Sequence, residues 1–199
     1  MSTRRRTPLR IAEYVFLAAG LLALGCCVFA WVSAELFQQR KANQFSRQLH
    51  QTTEKAPAAP VAAPPAVLPD GEVIGKLQIP RLGMSVMIVQ GDGSRDLRRA
   101  LGHIPGTALP WQSGNVGIAG HRDTFFRPLR LIRPNDTITL STLDGAYRYR
   151  VISTRVVPPG DVRVLNPTKS DTLTLVTCFP FYYVGSAPKR FIVRAQRDA

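Results

Sequence analysis

Hydrophobic and polar positions divide this chain into stretches with different periods. From Tyr14 to Ala34 run 21 residues without a charge. At 1.5 Å per residue about 20 apolar residues cross a hydrocarbon core, so this run predicts one membrane-spanning helix. Residues 35–50 are polar with helical spacing and read as the same helix continuing into water. Between Thr52 and Asp70 the composition turns to Ala and Pro, with Pro57, Pro60, Pro64, Pro65 and Pro69. Such a stretch buries no core and favours an extended spacer. From Gly71 a period of two takes over. Val73, Gly75, Leu77 and Ile79 share a strand face that Pro80 ends, and Met84, Val86 and Ile88 form a second. Ser94 to Leu101 reads as a short helix with Ser94 as N-cap and Leu97 and Leu101 on one face. Further strands are predicted near 102–105, at Asn115–Ala119, around Ile138 and Leu140, around Tyr147, Tyr149 and Val151, around Leu173 and Leu175, and around Phe191, Val193 and Ala195. Seven or eight short strands punctuated by Gly and Pro predict a mostly β domain, a closed barrel or a sandwich. The expected domains are a basic N-terminus (1–13), a transmembrane signal anchor (14–34), a polar stalk and Pro/Ala-rich linker (35–70) and the β domain (71–199).

Charge fixes the expected topology. Arg4, Arg5, Arg6 and Arg10 precede the apolar run and Glu35 follows it. The positive-inside bias then puts the N-terminus in the cytoplasm and everything after Ala34 outside, as a single-pass protein of the cell membrane. Val32-Ser33-Ala34 also has the small-residue pattern of a signal-peptidase site. The run is longer than the 7–15 residues of an ordinary signal-peptide core, which favours a retained anchor. Cys26 and Cys27 lack a clear lipidation pattern and read as small buried apolar residues. The net charge of +13 is spread out: residues 1–69 hold 8 of the 26 Lys+Arg and 3 of the 13 Asp+Glu. With neither aromatic-basic alternation nor a basic helix face, nucleic acid is not an expected partner. An anionic lipid surface or envelope polymer suits the excess better.

Two of the three cysteines lie inside the apolar run, so Cys178 is a lone thiol in an exported domain, where paired cysteines are the norm. It ends an apolar strand and precedes Phe179-Pro180, a place from which a scaffold presents a nucleophile; a buried structural cysteine is the plainer alternative. A thiol needs a proton-handling partner, and the domain offers His103 and His121. His121 follows a short strand and Gly120, whereas His103 lies in a Gly/Pro loop and suits a turn residue; strand ends position side chains better, which favours His121. Arg190 opens the last predicted strand, and its planar guanidinium suits a carbonyl oxygen or developing oxyanion, unless it is an ordinary surface arginine.

Thr174-Leu175-Val176-Thr177-Cys178, followed by Arg190 in Lys189-Arg190-Phe191-Ile192-Val193, resembles the sortase signature around the catalytic cysteine and arginine. Gly117-Ile118-Ala119-Gly120-His121-Arg122-Asp123 resembles the sortase histidine segment, and Gly75-Lys76-Leu77-Gln78-Ile79-Pro80 the strand that opens the barrel. Gly102-His103-Ile104-Pro105-Gly106 and Phe125-Phe126-Arg127-Pro128-Leu129 are most similar to class D sortases. The resemblance implies an eight-stranded sortase-like β-barrel with short helices behind one transmembrane helix. It also implies a Cys178–His121–Arg190 site, with Thr177 adding a hydroxyl contact for substrate and Asp123 either orienting His121 or capping a turn. The implied reaction cleaves a Leu-Pro-x-Thr-Gly/Ala-type sorting signal through a Cys thioester. The acyl group then passes to an amine acceptor, a peptidoglycan precursor or a protein Lys, and hydrolysis is the side reaction. The exported client carries its sorting signal at its C-terminus, and neither cofactor nor metal is implied. The reading outside enzymology is a tethered barrel adaptor with a structural cysteine.

Overall fold

The structure, a computed structural model, describes residues 6–54, 68–183 and 185–198. Most of the predicted Pro/Ala spacer, including Pro57, Pro60, Pro64 and Pro65, lies outside the described residues. The chain divides into two compact units, Met1–Phe37 and Gln38–Ala199. A long helix, α1 (Arg6–Glu54), contributes to both.

In the first unit the apolar residues have no protein around them. Leu17, Phe29 and Trp31 stand exposed, and Cys26 and Cys27 are free and exposed rather than packed against protein as the sequence suggested. Among the described residues one helical stretch, Arg10–Arg47, is long and apolar enough to cross a membrane.

The second unit is a closed barrel. Its strands are β1 (Val73–Ile79), β2 (Met84–Gln90), β3 (Leu101–His103), β4 (Asn115–Ala119), β5 (Thr137–Thr142), β6 (Gly145–Val157), β7 (Thr172–Phe179) and β8 (Lys189–Arg197). They pair in the ring order β1-β2-β3-β4-β7-β8-β6-β5, with β5 returning to β1. All pairs are antiparallel except β2 with β3 and β4 with β7. The alternation read from the sequence sends Leu77, Ile79, Ile88, Ile118, Ile138, Leu140, Leu173, Leu175 and Val193 into one core, closed by Phe126 and Tyr149. Burying each such side chain contributes roughly 1.5–3 kcal/mol, which is why the period-2 pattern decides the register.

Two local expectations change. The helix α2 covers only Ser94–Leu97, and its N-cap is Gly93, in an extended conformation, with no side-chain cap from Ser94. Leu101 opens β3 beside Ile88 instead of sharing a helix face with Leu97. Ring closure wins there: without β3 the barrel has a gap between β2 and β4. In addition, residues 35–50 do not all face water. Phe45 is buried, and the Gln38 side chain accepts from Met87 N at 2.9 Å and donates to Arg99 O at 2.6 Å.

Candidate active site

Cys178 stands near the end of β7, and strand order decides what flanks it. On one side β8 runs antiparallel with Arg190 directly opposite Cys178. On the other side β4 runs parallel, with Ala119 level with Val176. Beyond that last pair the chain stays attached to β7: Gly120 N donates to Val176 O at 3.2 Å, and Thr177 Oγ1 donates to Gly120 O at 2.8 Å. The register therefore carries His121 level with Cys178. With neighbouring strands about 4.8 Å apart, His121, Cys178 and Arg190 form one row roughly 10 Å across.

Alternation assigns the face. Leu173, Leu175 and Thr177 point into the barrel, so Val176 and Cys178 point out. On the same outer face lie Ala119 on β4 and Ile192 and Arg194 on β8, each directly across from a β7 residue of that parity or beside it. Ala119, Val176, Cys178, His121 and Arg190 are all half-buried, which makes this strip a shallow, partly solvated surface. Among the described residues no group of three or more His, Cys, Asp or Glu could hold a metal ion.

Three devices hold the strip in place. The first is steric: a Cβ at Gly120 would lie 2.6 Å from Phe126 and 2.7 Å from Leu101 side-chain carbons, so the turn that delivers His121 packs flush on the core only as glycine. The second is an aromatic group at the end of the barrel. Phe179 and Phe181 both contact Phe191, at centroid separations of 6.2 and 5.3 Å, and fix the end of β7 beside Cys178. The third is Asn115. Its side-chain amide donates to Val164 O and Asn166 O at 3.0 and 3.1 Å and accepts from Thr174 Oγ1 at 2.7 Å. That buried amide pins the β6–β7 connection across the outer face, where Arg194 also donates to Val164 O at 3.1 Å. Replacing Asn115 with Ala leaves the Asn166 carbonyl and the Thr174 hydroxyl short of a partner and Val164 O with Arg194 alone. It is expected to destabilise the fold by about 2–3 kcal/mol, read as a fall in melting temperature of the full chain in detergent; an unchanged melting temperature would contradict this role.

The residues singled out in the sequence fall into three groups. Cys178, His121 and Arg190 come together. Arg190 is also tied to its own connection, donating from Nη1 to Ala187 O at 3.3 Å and Lys189 O at 3.1 Å. Thr177 does not share their face: its hydroxyl is buried and donates to Gly120 O, which holds the turn that leads to His121. Asp123 is exposed and has no hydrogen bond to His121. His103 is not a loop residue. It ends β3, is 2% exposed, and its ring nitrogens lie 2.9 Å from Gln90 Oε1 and Ala108 O. Burial pushes its pKa below the usual histidine value, against the opposing effect of the Ala108 hydrogen bond.

Sequence reasoning missed Arg122. Its Nη2 donates to Tyr183 O at 2.6 Å and Gly185 O at 3.0 Å, and its guanidinium lies 5.9 Å from the Tyr183 ring centroid. It clasps the His121 turn to the β7–β8 connection. The only hint in the sequence was its place next to the histidine.

Comparison with known proteins agrees with this fold. The sortase domain family profile matches residues 77–198. Sortase D of Bacillus subtilis (strain 168) is 34% identical over 128 residues, covering 64% of this chain and 65% of that protein. A Clostridium perfringens sortase D5 transpeptidase structure superposes with a TM-score of 0.65 at 25% identity, covering 83% of this chain and 98% of that one. Sortase C1 from Streptococcus agalactiae superposes with a TM-score of 0.60 at 30% identity, over 65% of this chain and 69% of that one. The matches span between 49% and 65% of the length of the curated relatives.

Proposed function

This chain belongs to the sortase family, and from that membership we propose that it is a membrane-anchored cysteine transpeptidase whose nucleophile is Cys178. The observation that carries the reading is the row formed by His121, Cys178 and Arg190 on the outer face of the barrel, delivered by three different strand ends. A closed barrel gives no other reason to bring the outward thiol, an imidazole and a guanidinium level with one another.

In this mechanism the Cys178 thiolate attacks the carbonyl carbon of the threonine in a Leu-Pro-x-Thr-Gly/Ala-type sorting signal of an exported protein. The tetrahedral oxyanion is held by Arg190. Collapse breaks the C–N bond, and the His121 imidazolium gives its proton to the departing amine, leaving a thioester on Cys178. An incoming amine from a peptidoglycan precursor or a protein Lys loses a proton to His121 and attacks the thioester. The new amide forms and the thiolate is released. Splitting one amide exchange into two steps keeps the acyl group activated between them. Hydrolysis follows where water replaces the amine. The helix of the first unit serves as the anchor, with the N-terminus cytoplasmic and the barrel outside, following the arginines that precede the apolar run. The working domain division is 1–13, 14–34, 35–70 and 71–199, with the stretch from Gln38 lying in the same compact unit as the barrel.

The test is to incubate the full chain in detergent with a Leu-Pro-x-Thr-Gly peptide and follow the protein mass. An acyl adduct on Cys178 that moves to an added glycine oligomer supports transpeptidation. Product that stays purely hydrolytic at saturating amine would make the protein a processing protease. Absence of any adduct would leave the adaptor reading.

Arg190 supplies a sharper test of roles. Lys keeps the charge of Arg but loses the planar fork of donors. Arg190→Lys is therefore expected to lower kcat by on the order of 10²-fold, the usual cost of one oxyanion donor. A wild-type rate in that variant would return Arg190 to the role of a surface arginine.

A further inference from the structure

The outer face carries more positive charge beside the Cys178 row than catalysis uses. On β6, Arg155 lies directly across from Ile192 of β8, which in turn lies across from Val176 of β7. Arg155 thus shares the outward face two residue pairs along from the row of Arg190 and Cys178. Arg194 lies on the same face, two residue pairs further along, opposite Ser153. Its Nε is buried without a hydrogen-bond partner, while its Nη2 is on Val164 O. Burial first, and then the neighbouring Arg155 charge, push the Arg194 pKa below the usual arginine value. Next to them, under the β6–β7 connection, is a cavity of about 290 Å³ lined by Arg155, Asp161, Arg163 and Val164. The acid there is already committed: Asp161 accepts from Arg163 at 2.8 and 3.3 Å. Two guanidiniums, Arg155 and Arg163, therefore face one carboxylate, and Arg155 is also close enough to Arg194 for the two charges to repel.

An anion in that cavity would pair with Arg155, which the committed Asp161 leaves without a counter-charge, and relieve the repulsion between Arg155 and Arg194. The distance to the chemistry says which anion. Two strand spacings across and two residue pairs along separate Arg155 from Cys178 by roughly 12 Å between Cα atoms, and an extended peptide advances about 3.3 Å per residue. With the reach of an arginine side chain, the cavity sits within about three residues of a carbonyl held at Cys178. We propose that Arg155, backed by Arg194, is an anion subsite that selects clients with an acidic side chain within about three residues of the scissile threonine. The proposal rests on the transpeptidase reading above and adds a substrate class to it.

The experiment compares paired peptides built on Leu-Pro-x-Thr-Gly, with Glu or Gln at x and at each neighbouring position. The ratio of kcat/KM values, Glu over Gln, is measured with the full chain in detergent. At one of these positions the wild type is expected to prefer Glu by about 5- to 10-fold at low salt, the range for a partly exposed charged pair. Arg155→Gln is expected to bring that ratio close to one, and high salt to reduce it in the wild type. A ratio near one at every position, or a preference for Glu that survives Arg155→Gln, would overturn the proposal. If no peptide is turned over, the transpeptidase reading fails by itself. The subsite is then decided by binding: fluorescein-labelled Glu and Gln peptides titrated into the Cys178→Ala chain would have to differ by the same ratio, and equal dissociation constants would overturn it.

Discussion

Cys178→Ala is expected to reduce turnover of a sorting peptide by on the order of 10⁴-fold or more, the scale seen when a covalent nucleophile is removed from a preorganised site. The barrel should be unaffected. Cys178 is half-buried on the outer face, the core beneath it is made by Leu173, Leu175 and Phe191, and no hydrogen bond of the fold depends on its sulfur. Melting temperature and rate therefore separate: the rate collapses while the melting temperature stays within a degree or two. Residual activity near wild type would mean that the thiol is a bystander and the row across β4, β7 and β8 has another purpose. A matched loss of stability would instead point to a structural cysteine.

The second large effect contrasts the two histidines. His121→Ala is expected to lower kcat by 10²- to 10⁴-fold, the range for a proton-transfer group, with little change in stability. His103→Ala should do the opposite. It removes a buried ring lying 2.9 Å from both Gln90 Oε1 and Ala108 O, at a cost of about 2–3 kcal/mol, while the rate below the melting temperature stays within a few-fold. The pH dependence follows from the same burial. The folded pKa of His103 lies below its ordinary value, so between the two values the unfolded chain binds more protons than the folded one. His103 therefore contributes stability that is fully present above the ordinary histidine pKa of about 6.5 and is lost as pH falls from there through the lowered folded value. Comparing melting curves of wild type and His103→Gln across this range reads that contribution. Equal pH slopes in the two proteins would show that the ring is not held neutral. Comparable kinetic losses in His121→Ala and His103→Ala would reopen the choice of base.

Much of this was legible in the chain because the signals are local. Alternation at Leu77/Ile79, Ile138/Leu140 and Leu173/Leu175 marks strands whose inward residues now fill the core. The lone thiol, the glycine before His121 and the position of Arg190 could likewise be read residue by residue. Other features could not. The strand near 102–105 is legible, but the Gly and Pro around His103 hide that its ring is buried against Gln90 and Ala108. Thr177 looked available to a substrate because it adjoins Cys178, but strand parity turns it to the opposite face. Arg122 and Asn115 carry no sequence pattern at all; their carbonyl partners lie some 50 to 60 residues away. The helical pattern of residues 35–50 was correctly read, whereas its contact through Gln38 and Phe45 was not, because a single glutamine amide and one phenylalanine make no visible apolar stripe.

That contact has a consequence for a weak seam of the barrel. β3 is so short that on β2 it reaches only Ile88, Val89 and Gln90, and among the described residues no strand continues the sheet beside Met84–Met87. The first half of β2 thus offers a bare strand edge, the kind of template onto which another chain can add itself. The Gln38 carboxamide occupies the Met87 N–H on that edge, and its own NH₂ is anchored on Arg99 O across the gap. A truncation that begins at Gly71, where sequence composition alone places the start of the domain, discards this plug. It leaves the catalytic row complete but exposes an edge prone to self-association.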